Sequence, residues 1–213
     1  MTQRAYFFSD ELTLETRVVD CRPLEDGRYQ VVLAETLFHP QGGGQLADQG
    51  FIGGVAVEAV GQTESEVLHT VAQAIPPGPV TIEVAAEARL LHARLHSAGH
   101  LIACVGERAG WRAVKGHHWP GECRVVFDWQ PQAQDITGGA LEQAVNQLIV
   151  ADEPRHLRDE QGMRTVGFGS LPMQGCGGTH VVSTGVIAGV RILKTKEKKG
   201  QLSVHYDVVE GKA

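Results

Sequence analysis

Long apolar runs, cysteines and repeats are scarce in this chain of 213 residues. No apolar run approaches the ~20 residues that a membrane helix needs, and Met1 to Asp10 has no basic region followed by an apolar stretch. The 4 cysteines follow no disulfide-scaffold spacing, so free thiols are expected. No segment recurs at a fixed period, which excludes a repeat architecture. The sequence therefore predicts a soluble globular protein that is cytoplasmic and not associated with a membrane.

Basic residues are few in the first part of the chain. Residues 1–90 carry 5 Lys and Arg against 13 Asp and Glu, whereas residues 91–213 carry 14 against 12. An anionic ligand is therefore expected to bind the second part. The densest basic run contains Lys194, Lys196, Lys198 and Lys199, and it is predicted to be a turn. A solvated loop and a phosphate contact explain this run equally well.

The coarse pattern of the chain predicts an α+β protein with two subdomains. Short runs rich in β-branched residues, separated by Gly and Pro turns, predict a small β-barrel-like subdomain over residues 1–85. A helix-and-sheet subdomain is predicted over residues 86–213, because apolar residues recur at helical spacing from Glu87 to Val105. The remaining predicted elements are a helix over Ala140 to Val150 and a late hairpin formed by Gly185 to Leu193 and Gln201 to Val209.

Two histidines four positions apart on the first predicted helix form half of a metal site. Residues at i and i+4 share a helix face with Cβ atoms about 5–6 Å apart, so His96 and His100 can reach one zinc ion. His92 and Cys104 extend the same row. Positions eight apart lie ~12 Å along the helix axis, so only one neighbouring pair of this row can chelate an ion.

A second potential half-site lies in the glycine-rich segment Cys176 to His180, which again places a soft ligand and an imidazole four positions apart. Together with His96 and His100, Cys176 and His180 offer three nitrogens and one sulfur, a ligand set that tetrahedral zinc takes. The HExxH protease signature is excluded, because Ser97 stands where that motif requires glutamate. We therefore expect one zinc ion per chain.

The segment Thr36 to Gly50, TLFHPQGGGQLADQG, contains three successive glycines. It lacks the Lys-Ser/Thr ending of a nucleotide-binding phosphate loop, so no ATP is expected. Glycines without Cβ atoms allow backbone N–H groups to approach a ligand closely. A tight hairpin turn explains the glycines alone, but the polar residues on both sides favour a recognition loop.

These three segments, in this order, resemble the editing domain of alanyl-tRNA synthetases and, most closely, free-standing alanyl-tRNA editing proteins of the AlaX type. The resemblance rests on Thr36 to Gly50, on RLHSAGHLI (Arg94 to Ile102) and on CGGTHV (Cys176 to Val181), and it spreads over most of the chain. The editing domain of threonyl-tRNA synthetases shares the two metal-binding pairs. The GGGQ segment favours the alanyl branch.

The resemblance implies a function and a set of site residues. Proteins of this family hydrolyse the ester of serine, and often glycine, wrongly attached to alanine tRNA, so the expected partner is the acceptor end of tRNA(Ala) carrying serine or glycine. The family's zinc ligands fall on His96, His100, Cys176 and His180. Its catalytic positions fall on Thr36 and Gln45, and its substrate-binding positions fall on Gly42, Gly43 and Gly44. To these we add Lys194 and Lys196 as expected phosphate contacts.

One departure from the family pattern and two alternative functions remain open at this point. Alanyl editing domains commonly carry an acidic residue shortly before the cysteine, where this chain has Gln174 and Gly175. His117 and His118 are further candidates for the same cleft, although surface histidines explain them equally well. The alternatives are a non-catalytic zinc-containing tRNA-binding module and a zinc hydrolase of small aminoacyl esters.

Overall fold

A computed structural model describes residues 1–209 of the chain. It divides into two compact units. The first, here called the barrel unit, contains Met1–Gly42 and Leu46–Leu90. The second, here called the helix-and-sheet unit, contains Gly43–Gln45 and the chain from Leu91 onwards. Within the described residues, no helix is both long and apolar enough to cross a membrane.

The barrel unit is built from short strands around an apolar interior. Six antiparallel strands close in the order β2-β3-β7-β6-β5-β8, and β8 pairs with β2 to complete the circle. The strands of the unit are β1 (Gln3–Arg4), β2 (Thr13–Pro23), β3 (Tyr29–Leu33), β4 (Glu35–Thr36), β5 (Gly50–Ile52), β6 (Val55–Gln62), β7 (Val67–Val71) and β8 (Gly78–Val84). A short parallel pair, β1 with β4, lies outside the barrel.

Alternation of side chains along the strands fills the barrel. In β7, Val67, His69 and Val71 are buried and the residues between them are partly exposed, as expected for a strand with one face on a core. The apolar members of the barrel core include Val31, Leu33, Ile52 and Ile82, all fully buried. The small β-barrel predicted at the N-terminus is therefore confirmed.

The helix-and-sheet unit packs helices and two antiparallel sheets around a second core. The first helix, α1, spans Ala86–Arg108 and begins in the barrel unit. Its apolar residues Leu95, Ala98 and Ile102 recur at helical spacing and are fully buried. The second helix, α2 (Gly138–Val150), is capped by the Thr137 side chain, which accepts from the Ala140 N–H.

The strands of this unit form a four-stranded sheet, β14-β15-β10-β9, and a three-stranded sheet, β11-β12-β13. They are β9 (Arg112–His117), β10 (Arg124–Asp128), β11 (Arg155–Glu160), β12 (Met163–Phe168), β13 (Gln174–Gly175), β14 (Val190–Lys198) and β15 (Gln201–Val208). The combination of a barrel, helices and antiparallel sheets confirms the predicted α+β class.

The prediction for the late hairpin needs a correction. Thr184–Ile187 form a 3-10 turn, and the strand that follows starts only at Val190. Lys194, Lys196 and Lys198 therefore lie on β14, and the turn itself falls at Lys199 and Gly200. Lysines at every second position alternate with Thr195 and Glu197, and all of these residues are exposed, so this end of the strand is solvated on both faces. The predicted basic turn was thus wrong.

Candidate metal centre

Four side chains from two segments of the helix-and-sheet unit converge on one point. His96 and His100 project from α1, and Cys176 and His180 lie in the segment after β13. One ligand atom from each residue lies within 4.8 Å of the others. Cys176 Sγ is 3.5 Å from His96 Nε2 and 3.2 Å from His180 Nε2. A tetrahedral zinc with ordinary Zn–S and Zn–N bonds needs about 3.6 Å between sulfur and nitrogen, so the cluster can hold one metal ion.

The other members of the helical row are used differently. Within residues 1–209, neither His92 nor Cys104 belongs to the cluster. Cys104 lies one turn beyond His100, and its sulfur accepts from the Gln174 side chain at 3.4 Å. Burial raises the pKa of the Cys104 thiol to about 11, which keeps this sulfur protonated. The alternatives left open by the spacing are thereby resolved in favour of His96 and His100.

Gln45 fixes the orientation of His96. Its Oε1 accepts from His96 Nδ1–H at 2.7 Å and from the Thr179 backbone N–H at 3.0 Å, while its Nε2 donates to Thr179 Oγ1 at 2.8 Å. Because the backbone N–H of Thr179 can only donate, it determines which end of the amide faces it. His96 then carries its proton on Nδ1, and the bare Nε2 faces Cys176.

Ser97 holds His180 in the corresponding way. Ser97 Oγ accepts from the Val181 N–H at 3.1 Å and lies 3.2 Å from His180 Nδ1, which leaves His180 Nε2 directed at Cys176. Arg155 donates to the His180 carbonyl at 2.6 Å and anchors the same segment from its other side. Gly178 allows this segment to lie close to α1, since a Cβ there would overlap the His96 ring.

The electrostatics of the cluster suit a cation-bound thiolate and neutral imidazoles. The buried Arg164 donates to the carbonyls of Cys176 and Gly178 at 2.7 and 2.9 Å. Burial, with a contribution from Arg164, lowers the pKa of His100 to about 4, and burial also lowers the pKa of His180. Burial raises the pKa of the Cys176 thiol, so a thiolate there calls for a bound cation.

A cavity of about 290 Å³ opens beside three of the four ligands, His96, His100 and Cys176. Its volume lies at the lower end of the range for small-ligand pockets, about 300–1,000 Å³. Among the described residues, none of the side chains lining it is a carboxylate. Hydrogen-bond acceptors in the wall are therefore imidazole nitrogens, the Cys176 sulfur, the Gln174 amide oxygen and backbone carbonyls.

His118 lines the cavity and is held by a ring contact and by hydrogen bonds. Its ring stacks on His96 with centroids 4.3 Å apart, and its Nδ1 is 2.6 Å from the Tyr206 hydroxyl. Tyr206 donates its single proton to the Leu95 carbonyl at 2.9 Å, so it accepts from His118 Nδ1–H. Burial, with the charges of His100 and His117, lowers the pKa of His118 to about 3. The neutral ring therefore keeps its lone pair on Nε2.

Known proteins resemble this chain over most of its length. A family model described as the threonyl and alanyl tRNA synthetase second additional domain matches residues 163–203, which include Cys176 and His180. Rat alanyl-tRNA editing protein Aarsd1 is 31% identical over 219 residues, covering 86% of this chain and 53% of the relative. The bovine Aarsd1 protein is 30% identical, covering 86% and 49%. An alanine–tRNA ligase of Methanopyrus kandleri is 29% identical over 222 residues, covering 88% and 24%.

The resemblance expected from the three sequence motifs is thus confirmed. The chain spans about half the length of the editing proteins that it matches and about a quarter of the ligase.

The glycine triplet is divided between the units. Gly42 belongs to the barrel unit, whereas Gly43 and Gly44 belong to the helix-and-sheet unit, where Gly43 lines the cavity. Gly44 has a φ of +77° and accepts from the His118 N–H at 2.8 Å. A Cβ on Gly44 would lie 3.0 Å from the Gly116 carbonyl carbon, so a side chain there is excluded on two grounds.

Thr36 lies in the barrel unit and is fully buried. Its Oγ1 accepts from the Phe38 N–H at 3.1 Å and lies 2.9 Å from His69 Nε2. His69 Nδ1–H donates to the Val31 carbonyl at 3.1 Å, so His69 Nε2 accepts the Thr36 hydroxyl proton. The hydroxyl is therefore already bonded inside this unit, and the role of Thr36 as a sensor of substrate stays a prediction.

Several contributors to the site were missed or left undecided by sequence reasoning. Ser97, Thr179, Arg164 and Tyr206 orient ligands or the cavity wall. Ser97 and Thr179 lie inside the two metal-binding pairs and Arg164 and Tyr206 lie outside them, but nothing in the sequence marks any of the four for this role. Their contacts join positions up to 134 apart in the chain, so only tertiary structure reveals them. Gln174 and Gly175, which replace the acidic residue usual in the family, form β13 and line the cavity.

Proposed function

We propose that this chain is a zinc-dependent trans-editing deacylase that hydrolyses the aminoacyl ester of Ser-tRNA(Ala) and also of Gly-tRNA(Ala). The observation that carries the proposal is the convergence of His96, His100, Cys176 and His180 beside a cavity sized for a small acyl group. Relatives over most of the chain are named alanyl-tRNA editing proteins, which supports this reaction over other zinc hydrolyses. We place the protein in the cytoplasm because its proposed substrate is a cytosolic tRNA.

The zinc site is proposed from the donor set alone. Three imidazole nitrogens and one thiolate are ligands that zinc prefers, and one ligand atom of each side chain lies within 4.8 Å of the others. When bound, zinc would polarise the ester carbonyl, activate a water or bind the amino group of the aminoacyl end. Gln45 and Ser97 direct the lone pairs of two ligands inward, and Arg164 favours the thiolate of Cys176.

The cavity wall is proposed to supply a hydrogen-bond acceptor that orients the attacking water or the substrate. No carboxylate lines it within residues 1–209, whereas His118 holds a lone pair on Nε2 because Tyr206 occupies its Nδ1 proton. His118 would accept a hydrogen bond from the attacking water or from the amino group of the substrate and so orient it. Gly43, in the same wall, offers backbone close to the reacting ester.

Selection of serine over alanine requires a hydrogen bond to the serine hydroxyl, which the aminoacylation site of a synthetase lacks. An apolar pocket rejects an added hydroxyl only by ~10²-fold, whereas a site that hydrogen-bonds this hydroxyl rejects the analogue lacking it by up to ~10⁴–10⁵. Thr36 is the proposed donor or acceptor for the serine hydroxyl, on the basis of the family motif. The phosphates of the acceptor end are assigned to Lys194 and Lys196. Gly42, in the glycine-rich segment, is proposed as a further substrate-binding residue.

The test is single-turnover deacylation of Ser-tRNA(Ala), Gly-tRNA(Ala) and Ala-tRNA(Ala), with and without a chelator. We expect rapid loss of serine and glycine, little loss of alanine, and inactivation by the chelator that zinc reverses. Cys176→Ala should abolish both zinc binding and deacylation, while Cys21→Ala, which changes a thiol of the barrel unit, should leave both intact. Full activity of Cys176→Ala without metal would overturn the zinc mechanism.

The same assay separates the two alternative functions. A non-catalytic tRNA-binding module would bind Ser-tRNA(Ala) and leave its ester intact. A hydrolase of small aminoacyl esters would cleave seryl methyl ester at least as well as the tRNA ester. The proposed function predicts a strong preference for the tRNA ester.

A further inference from the structure

The four-stranded sheet of the helix-and-sheet unit has one apolar face and one charged face. Along β10, Val125 and Phe127 are buried in the core, while Arg124, Val126 and Asp128 are only partly buried on the opposite side. The neighbouring strand β15 shows the same alternation, with Leu202, Val204 and Tyr206 buried and the residues between them partly exposed. One face therefore packs on the core and the other faces away from it.

Strand register brings basic side chains together on this outer face. Three rows cross the sheet, and each contains residues paired from strand to strand. The rows are Lys194, His205, Arg124 and His117; then Lys196, Ser203, Val126 and Lys115; then Lys198, Gln201, Asp128 and Arg112. We call Lys115, Arg124, Lys194, Lys196, Lys198 and His205 the basic face.

The positive charge of the basic face is concentrated and largely uncompensated. The chain has 6 lysines, and 4 of them belong to this face. Within residues 1–209, none of these 4 lysines forms an ion pair, and the acidic residue of the third row, Asp128, is already paired with Arg112 at 2.8 Å. A second acidic residue, Asp207, lies opposite Arg191 at the end of the sheet.

The crowding of like charges is visible in the neighbouring histidine. Burial lowers the pKa of His205, and the charges of Arg124, Lys194 and Lys196 lower it further. Mutual repulsion among these positive charges is unfavourable. A polyanion bound to this face would relieve it.

The basic face also reaches the cavity. Lys115 pairs with Val126 on the outer face and at the same time lines the cavity that contains His96, His100 and Cys176. Strands lie about 4.8 Å apart and residues rise about 3.3 Å along a strand, so the face covers about 14 by 13 Å. That area spans two or three consecutive phosphates of one nucleic-acid strand and ends at the cavity rim.

We propose that the basic face docks the phosphate backbone of the acceptor stem whose aminoacylated 3′ end enters the cavity. The inference rests on the proposed function and adds to it the surface that holds the RNA. Contacts to phosphates position a nucleic acid without reading its sequence. This face would therefore supply affinity and orientation, and recognition of the correct tRNA would come from other contacts.

The test is binding of an uncharged RNA minihelix with an alanine acceptor stem, measured by fluorescence anisotropy across a range of salt concentrations. Lys194→Glu/Lys196→Glu should raise Kd at least tenfold at 0.1 M salt. It should also flatten the slope of log K against log salt by about 1.5, as expected for two lost phosphate contacts. The matched control, Arg17→Glu/Arg158→Glu, changes the net charge equally at exposed positions on β2 and β11, and its Kd should stay within twofold of wild type.

The outcomes separate this inference from the proposed function. Wild-type protein that does not bind the minihelix, and does not deacylate Ser-tRNA(Ala), would overturn both. Wild-type binding with equal Kd for the face variant and the control would overturn only the docking surface. If the glutamate variant does not fold, Lys194→Gln/Lys196→Gln should show the same direction with a smaller change. A loss of binding to phosphatidylserine vesicles with RNA binding unchanged would assign the face to a membrane and overturn the inference.

Discussion

Gln45 Oε1 lies 2.7 Å from His96 Nδ1, so a side chain from the glycine-rich segment determines which nitrogen of a metal ligand faces the ion. The same oxygen accepts from the Thr179 N–H, which ties the segment after β13 to the same amide. Gln45 is fully buried, and both ends of its amide are bonded. Gln45 therefore orients a metal ligand. Mutation of such a residue typically lowers metal affinity by about 10–100-fold.

Replacing Gln45 by Met should weaken zinc binding. Methionine matches the shape of glutamine but can neither accept from His96 nor pair with Thr179, so His96 loses its fixed tautomer. We expect the zinc Kd, measured by competition with a chromophoric chelator, to rise by about 10–100-fold. Gln45→Glu keeps an acceptor for His96 and should lose less. Gln73→Met, an exposed change in the barrel unit, should bind zinc like wild type. Unchanged zinc affinity of Gln45→Met would contradict the orienting role.

The metal cluster could be predicted from the sequence because its spacing is local. His96 and His100 share a helix face by periodicity alone, and Cys176 and His180 lie close together through a short glycine-rich segment. Their convergence needed a second argument, which the family motifs provided. The fully buried Gln45 illustrates the limit: its motif identified it as a site residue, but its bond to His96 depends on a contact between positions 51 apart.

The strands from β9 to β13 were not predicted, for a related physical reason. Segments such as β9 (Arg112–His117) contain Lys, Gly and His rather than a run of β-branched residues, so their local preference for a strand is weak. They become strands by pairing with neighbours such as β10. The lysines after Leu193 were likewise assigned to a turn, because charge and a nearby glycine dominated the local pattern.

Tyr206→Phe should impair deacylation while zinc still binds. The tyrosine hydroxyl holds His118 Nδ1–H at 2.6 Å, so its removal leaves that proton without its acceptor and frees the other tautomer. A lost hydrogen bond of about 1 kcal/mol corresponds to a three- to tenfold fall in the single-turnover rate. Zinc affinity should change little, since no metal ligand bonds to Tyr206. Tyr29→Phe in the barrel unit is the control, and an equal effect of both changes would remove His118 from the reaction.

Thr36→Val tests the serine sensor against a structural role. Valine keeps the volume of threonine but leaves His69 Nε2 without its donor and the Phe38 N–H without its acceptor, which should cost about 1–3 kcal/mol of stability. If Thr36 also senses the substrate hydroxyl, the ratio of deacylation rates for Ser-tRNA(Ala) and Ala-tRNA(Ala) should fall. Thr36→Ser retains the hydroxyl and should preserve the ratio. A destabilised Thr36→Val variant with unchanged selectivity would leave Thr36 with the structural role alone.

His69 should make the barrel unit sensitive to acid. Burial lowers the pKa of His69 to about 4, against an ordinary value of 6.5, even though its hydrogen bond to Val31 acts in the opposite direction. Between these two pH values the unfolded chain binds a proton that the folded barrel does not. Stability therefore rises with pH across this window. The cost of keeping His69 neutral is absent above pH 6.5 and complete below pH 4, where it reaches about 3 kcal/mol.

Hydrogen–deuterium exchange of peptides covering β3 and β7, corrected for the intrinsic pH dependence of exchange, measures this effect in the barrel unit. Protection should fall as the pH drops from 6.5 to 4, and His69→Gln should flatten the dependence because glutamine does not titrate. Trp111, Trp119 and Trp129 all lie in the helix-and-sheet unit, so tryptophan fluorescence reports the other unit in the same samples. An equally steep loss of protection in His69→Gln would show that other groups cause the acid sensitivity of the barrel.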